Sequence, residues 1–310
     1  MTEHHNCRKS FVNDIEECSI CYEPMLDNVI TTSCGHKFHN HCISRWISNI
    51  TCPCCRSNIS DMLIQLYSHK NVVCELVRRN GLLLATLSEE FKGDEEVVFL
   101  AVQHDGYALQ YASNKLRNHW RIVAAAVQQD GYVLKFASVE LQNDESIVFI
   151  AIRKNGGALQ YASPALQDNI IIVSAAVKND GFALEYASLR LRNRVKIVIE
   201  AVRNCGNALR YASAKLRNHE KVVIETVRNH GCALQYASYR LRDREKVVLE
   251  AVECSGWAIK YASYRLRNHM EIVNAAIRKN CDALMYVDSH LIQTMSADLQ
   301  GNTNNTPLFF

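Results

Sequence analysis

A 25-residue step runs without insertion through most of this chain. The tripeptides Tyr111-Ala112-Ser113, Phe136-Ala137-Ser138, Tyr161-Ala162-Ser163 and Tyr186-Ala187-Ser188 are followed by Tyr211, Tyr236 and Tyr261, each again before Ala-Ser. Glycines keep the step at Gly81, Gly106, Gly131, Gly156, Gly181, Gly206, Gly231 and Gly256, and leucines keep it from Leu116 to Leu291. Nine units fit, from 68–92 through 268–292. A period of this length means stacked copies of one small structural element.

The punctuation inside a unit is helical. Ser68, Asn118, Asn143, Asp168, Asn193, Asn218, Asp243 and Asn268 are placed as N-caps, because their side chains accept from amides that a helix start leaves free. An apolar run follows, as in Ile122-Val123 and Ala126-Val127, which lines one helical face. The repeated glycine then falls where a helix end calls for a left-handed residue. A shorter second helix carries Ala-Leu and Tyr-Ala, and Pro164 after Ser163 places its end near the serine. One helix pair cannot bury its own apolar face, whereas stacked pairs can, so the sequence predicts an α-solenoid of about nine helix-pair repeats. The end units depart from the pattern, as caps do: Thr86-Leu87-Ser88 opens the series, and Cys281 and Tyr286-Val287-Asp288 close it.

Upstream of the repeats the pattern changes to dense cysteine and histidine. Eight of the thirteen cysteines lie within residues 1–55. The N-terminus lacks the apolar segment of a secretion signal, and no apolar run approaches a membrane span, so an intracellular, cytoplasmic protein with no membrane partner is expected. In that setting clustered Cys and His point to metal before disulfides. The net charge of +3 gives no global case for nucleic acid.

The candidate ligands are Cys18, Cys21, Cys34, His36, His39, Cys42, Cys52 and Cys55, spaced C-x2-C-x12-C-x-H-x2-H-x2-C-x9-C-x2-C. Eight such ligands make two closed, structural tetrahedral Zn2+ sites. His41 and Cys54 break the spacing and are read as non-ligands, and Cys7, His4 and His5 as part of a polar leader. The expected organisation is a leader at 1–15, a zinc module at 16–60, a connector at 61–67, the repeat array at 68–292 and a polar tail at 293–310.

This spacing resembles the RING-H2 finger over the whole of 18–55. Other zinc modules, among them PHD, LIM and DNA-binding fingers, differ in histidine number or spacing. The resemblance implies a small ββα domain in which ligands pair alternately: Cys18, Cys21, His39 and Cys42 in one site, Cys34, His36, Cys52 and Cys55 in the other. It also implies that Ile20, Trp46 and Pro53 dock a ubiquitin-conjugating enzyme. Arg56 would be the catalytic contact, bridging that enzyme and its ubiquitin. The implied activity is RING-type ubiquitin transfer with no covalent intermediate on this chain. A non-enzymatic scaffold or adaptor is the alternative.

The repeat unit is similar to a repeat family abundant in giant DNA viruses of amoebae, and its fusion to a RING finger resembles RING-finger proteins of mimivirus-type viruses. A repeat array so placed would recruit the protein substrate. Stacking would set Lys115, Arg117, Arg190, Arg192, Arg194, Lys215, Arg217, Arg240, Arg242, Arg244, Arg265 and Arg267 in rows as a basic ridge. With no aromatic residues evident among them to stack bases, a solvated edge neutralised by Glu220, Asp243, Glu245 and Glu271, or a surface for an acidic protein, is a better fit than nucleic acid, which is not expected as a partner.

Overall fold

The structure, a computed structural model, describes residues 16–27, 29–46, 51–58 and 70–301, apart from the side chains of 44, 45 and 296–301. The leader, the connector and Ser68 lie outside the described residues. Two compact units divide the chain, Met1–Leu116 and Arg117–Phe310.

In the first unit, strand β1 (Val29–Thr31) pairs antiparallel with β2 (Lys37–His39), with Ile30 opposite Phe38. Gly35 turns the connection at φ 86, a left-handed conformation open to glycine at little steric cost. Helix α1 (Asn40–Trp46) follows directly. The strand period of two sends Ile30 and Phe38 inward, where they meet Cys18, Cys42, Ile43 and Cys52. That core does not end with the Cys/His segment. It continues through Val72 and Leu76 on the helix Lys70–Arg79, so the zinc module and the first repeat share one core.

Each repeat has three elements where two were expected. In the second unit a ten-residue helix (Trp120–Gln129) leads into a six-residue 3₁₀ helix (Gly131–Phe136) and then a single α turn (Val139–Gln142). The predicted face is correct: Ile122, Val123, Ala126 and Val127 are fully buried. So are Leu134, Ile147, Ile152 and Leu159 in the same and the next repeat, each contributing roughly 1.5–3 kcal/mol by leaving water. The second helix ends near Ser163 as expected, at Tyr161 with Ala162 as its C-cap, and a new turn starts there. The Ser163 hydroxyl caps the short turn Pro164–Gln167 by accepting from the Leu166 amide at 3.3 Å, with Pro164 at the first helical position.

Two expectations about the repeat are corrected. The long helices are capped one residue later than placed: Asp94 accepts from Glu96 and Val97, Asp144 from Ile147, and Asn169 from Ile171 and Ile172. Asn143, Asp168, Asn193, Asn218, Asp243 and Asn268 instead close the preceding short turn. Their side chains bind the serine that caps the following short turn: Ser138 Oγ donates to Asn118 at 2.6 Å, and Ser213 and Ser238 repeat the contact on Asn193 and Asn218 at the same distance. Ser188 and Ser263 donate to Asp168 and Asp243. Backbone bonds reinforce the stack, Ser163 N–H to Gln142 C=O at 2.9 Å being one of a series.

The repeat glycines are also not left-handed; Gly35 is the positive-φ glycine among the described residues. They are glycine because the following repeat lies too close for a side chain. A Cβ on Gly131 would sit 2.2 Å from the Ala151 carbonyl oxygen, and one on Gly156 2.5 Å from that of Ala176. The same amides are held from across the interface, Gly131 N–H by Asn155 Oδ1 and Gly156 N–H by Asn179 Oδ1, both at 2.8 Å.

The final helix runs from Ser289 to Gly301, so the segment expected as a tail from 293 is helical that far. No helix among the described residues is long and apolar enough to cross a membrane.

Candidate metal centre

Two short knuckles present the first and last cysteine pairs. In each, the residue after the second cysteine bonds back to the first: Tyr22 N–H to Cys18 C=O at 2.7 Å, Arg56 N–H to Cys52 C=O at 2.9 Å. Both are left-handed, at φ 60 for Tyr22 and 58 for Arg56. Single backbone bridges, Glu17 to Pro24 and Thr51 to Asn58, close the two loops alike. For side chains with a Cβ this conformation is strained by about 1–2 kcal/mol, which something in the knuckle must offset.

The eight expected ligands come together as two groups of four. Cys18, Cys21, His39 and Cys42 form one, Cys34, His36, Cys52 and Cys55 the other, with all ligand atoms within 4.8 Å of one another. His39 Nδ1 is 3.4 Å from Cys21 Sγ, and His36 Nδ1 is 3.5 Å from Cys34 Sγ. Ligands about 2.0–2.3 Å from a tetrahedral ion lie roughly 3.3–3.8 Å apart. The donor set and its spacing therefore fit zinc. His39 Nε2 is 3.2 Å from the Pro24 carbonyl, which can only accept, so in the neutral ring Nδ1 keeps its lone pair toward the thiols.

The thiols are unequal. Burial pushes the Cys42 thiol up to about 12, with the neighbouring Cys21 and Cys18 sulfurs adding to the effect. Burial also raises Cys18, but hydrogen bonds from the Cys21, His39 and Ile20 amides and the His39 ring outweigh it and bring it down to about 6. The Thr32 hydroxyl, 3.1 Å from Cys34 Sγ, holds that thiol down to about 7. A cation that binds four such groups displaces their protons.

His41 and Cys54 lie outside both groups, as expected from their spacing. His41 stacks on His39 with ring centroids 5.3 Å apart and places Nε2 3.2 Å from Cys42 Sγ, a neighbour contact that spacing does not reveal. Ile20 is half-buried against the core, and Pro53 is half-buried in the second knuckle. Trp46 ends α1 and is 40% exposed, yet its indole N–H donates to the Thr51 carbonyl at 3.0 Å. That bond fixes an exposed aromatic beside the second knuckle. Arg56 is exposed.

The family described as a domain of unknown function, DUF4116, matches residues 69–117, 119–167, 144–192, 169–217, 195–242 and 244–292, well over half of the chain. The chain belongs to this family. Each DUF4116 match spans two of the 25-residue units. The ring finger domain family matches residues 16–56, the segment that carries both Cys/His groups.

Similarity to curated proteins is confined to smaller shares of the chain. The human BRCA1-associated protein is 38% identical over 48 residues, 14% of this DUF4116 chain and 8% of that protein. In Arabidopsis thaliana, the E3 ubiquitin-protein ligase ATL59 is 28% identical over 99 residues, 30% of this chain and 44% of that one. The probable E3 ubiquitin-protein ligase XERICO of the same plant is 40% identical over 55 residues, covering 16% and 32%. The chain thus spans less than half the length of these relatives. No solved structure matches it.

The basic ridge is partly consumed inside the stack. Arg192 is half-buried and donates to the Tyr211 carbonyl at 2.6 Å, and Gln142 and Gln167 fill the equivalent slot with bonds to carbonyls of the 3₁₀ helices. Arg190 and Arg265 reach back to Asp168 and Asp243, which close the preceding short turns. One expectation is overturned: aromatic residues do interleave with exposed arginines, at Tyr239 and Tyr264. They stand outside the repeated Tyr-Ala-Ser position, and only the short helices reveal that this slot faces water.

Proposed function

We propose that this protein is a RING-type ubiquitin ligase. Ile20, Trp46 and Pro53 receive a ubiquitin-charged conjugating enzyme, Arg56 touches both enzyme and ubiquitin, and the repeats recruit the substrate. The observation that carries the reading is the interleaved pair of four-residue Cys/His groups, whose donors fit zinc. Zinc ions held there would have a structural role, since four protein ligands leave no open position. The names of the plant relatives support the same reading.

Catalysis would consist of positioning. Holding the thioester-linked ubiquitin in one geometry removes orientational entropy from the attack by a lysine amine. Arg56 suits a double contact because its guanidinium presents a planar fork of donors. Its left-handed backbone aims the side chain out of the knuckle while its amide remains tied to Cys52. The protein acts in the cytoplasm on this reading.

The test is discharge of ubiquitin from a panel of charged conjugating enzymes onto free lysine. Wild type should accelerate at least one pairing. Arg56→Gly should lose on the order of tenfold of that acceleration, since the bridging fork is gone. It should also keep its zinc, because glycine relieves the left-handed strain. No acceleration across a broad panel would sink the ligase reading in favour of a zinc-built scaffold.

A further inference from the structure

The single α turns of the later repeats carry an unused surface. Leu189–Arg192, Ala214–Arg217, Tyr239–Arg242 and Tyr264–Arg267 each begin with an apolar residue, carry two cations and contain no carboxylate. The opening residues face water: Leu189 is 78% exposed, Tyr239 85% and Tyr264 67%. Exposed large apolar side chains repeated in one slot call for an explanation, since single exposed ones are ordinary and a row is not.

Two of them are exposed yet held. The Arg242 guanidinium lies 4.2 Å from the centre of the Tyr239 ring, and the Tyr264 hydroxyl donates to Asp288 at 2.9 Å. Between the rings, arginines are held too. Arg240 donates to the Asn218 side chain at 2.9 Å and to its carbonyl at 3.0 Å, and Arg265 makes the same pair of contacts on Asp243. Asn218 is neutral, so the charge of Arg240 is not cancelled by the group that positions it. Rings and guanidinium groups fixed before binding lose little entropy on contact, which is the property of an anchor.

We propose that this row is a docking surface for an acidic peptide in the polyproline-II conformation with an apolar residue at every third position. This deepens the proposed function, resting on its assignment of substrate recruitment to the repeats. Packed helices stand about 8–10 Å apart, and a polyproline-II chain has three residues per turn at about 3.1 Å each, so every third side chain faces the same way about 9 Å further on. Three peptide residues therefore span one repeat: one apolar side chain for the ring or leucine, with carboxylates between for Lys215 and Arg240, since Arg190 and Arg265 are already paired with Asp168 and Asp243. Ala214 marks the slot where the row carries the smallest apolar group, and it is exposed.

The test uses the full chain and a fluorescein-labelled twelve-residue peptide with leucine at every third position and aspartate or glutamate between. Fluorescence anisotropy should show binding. Tyr239→Ser should weaken it roughly tenfold, as loss of an aromatic anchor does, and Arg240→Gln should weaken it and flatten its salt dependence. Ala214→Tyr should tighten it, since Tyr239 and Tyr264 occupy the same slot without a clash. Thermal unfolding monitors the fold of each variant. The proposal is overturned if the peptide does not bind, if Tyr239→Ser and Ala214→Tyr leave binding unchanged, or if a labelled oligothymidylate binds more tightly than the peptide. None of these readouts involves a conjugating enzyme, so failure here leaves the lysine-discharge result standing, and failure there leaves this one.

Discussion

Removing zinc is expected to unfold the Cys/His segment and to loosen the first repeat with it. The buried cluster of that segment is Cys18, Ile30, Phe38, Cys42, Ile43 and Cys52, and three of these six are themselves ligands. So small a core cannot offset the entropy of ordering its loops, whereas a structural zinc contributes on the order of 10 kcal/mol. The ligands alternate along the chain, with Cys34 and His36 of one group lying between Cys21 and His39 of the other. Cys52→Ser should therefore release both groups. Val72 and Leu76 would lose their partners in that core at the same time, leaving the helix Lys70–Arg79 held by the helix Glu95–His104 on its other side. Hydrogen exchange checks this directly. Chelation should lower protection over 70–79, while helices from Trp120 onward, each packed on its own neighbours, keep theirs. Unchanged exchange over 70–79 after metal loss would show that the shared core does not couple them.

The two Cys/His groups were legible in the sequence because metal chemistry constrains both residue type and spacing, and the eight residues cluster in the pairing that the resemblance implied. The apolar face of the repeat was legible for a similar reason: Ile122, Val123, Ala126 and Val127 obey a period that only a helix satisfies. What failed were inferences about backbone conformation between elements. Asn118 and its equivalents looked like caps because capping depends on a residue type that also serves other roles, and here they accept the hydroxyl of the serine that caps the following short turn. Nothing local distinguishes the two uses. The exposed slot at Leu189, Tyr239 and Tyr264 escaped notice because its residues differ from repeat to repeat, as the surface permits. The sharing of a core between the zinc module and Val72 and Leu76 crosses 59–69, where the sequence carries no repeat signal.

Gly131→Ala should destabilise the array by about 3 kcal/mol, at the upper end of what an added methyl group does to a packed interior. The new Cβ would lie 2.2 Å from the Ala151 oxygen and 3.0 Å from its carbon. Backbone cannot rotate aside as a side chain would, and that oxygen already accepts the Asn155 amide at 2.9 Å. Relief requires the two repeats to separate, which opens the contacts of Leu134 and Ala151. Gly93→Ala is the control. Its Cβ would meet nothing nearer than 3.4 Å, its φ is −99, and stability should be unchanged or raised by about 0.4–1 kcal/mol. Gly131→Asn separates close approach from left-handed geometry. Asparagine tolerates positive φ, so a left-handed requirement would make it milder than alanine. With a carbonyl in the way it should be no milder, and a clearly milder asparagine in chemical denaturation would refute the close-approach account. The ninth unit already agrees with that account. Cys281 stands in the glycine slot of the ninth unit, after which the described residues hold only the helix Ser289–Gly301, and the side chain there is exposed. Cys281→Ala should accordingly change stability by less than about 0.5 kcal/mol, the ordinary range for a surface substitution.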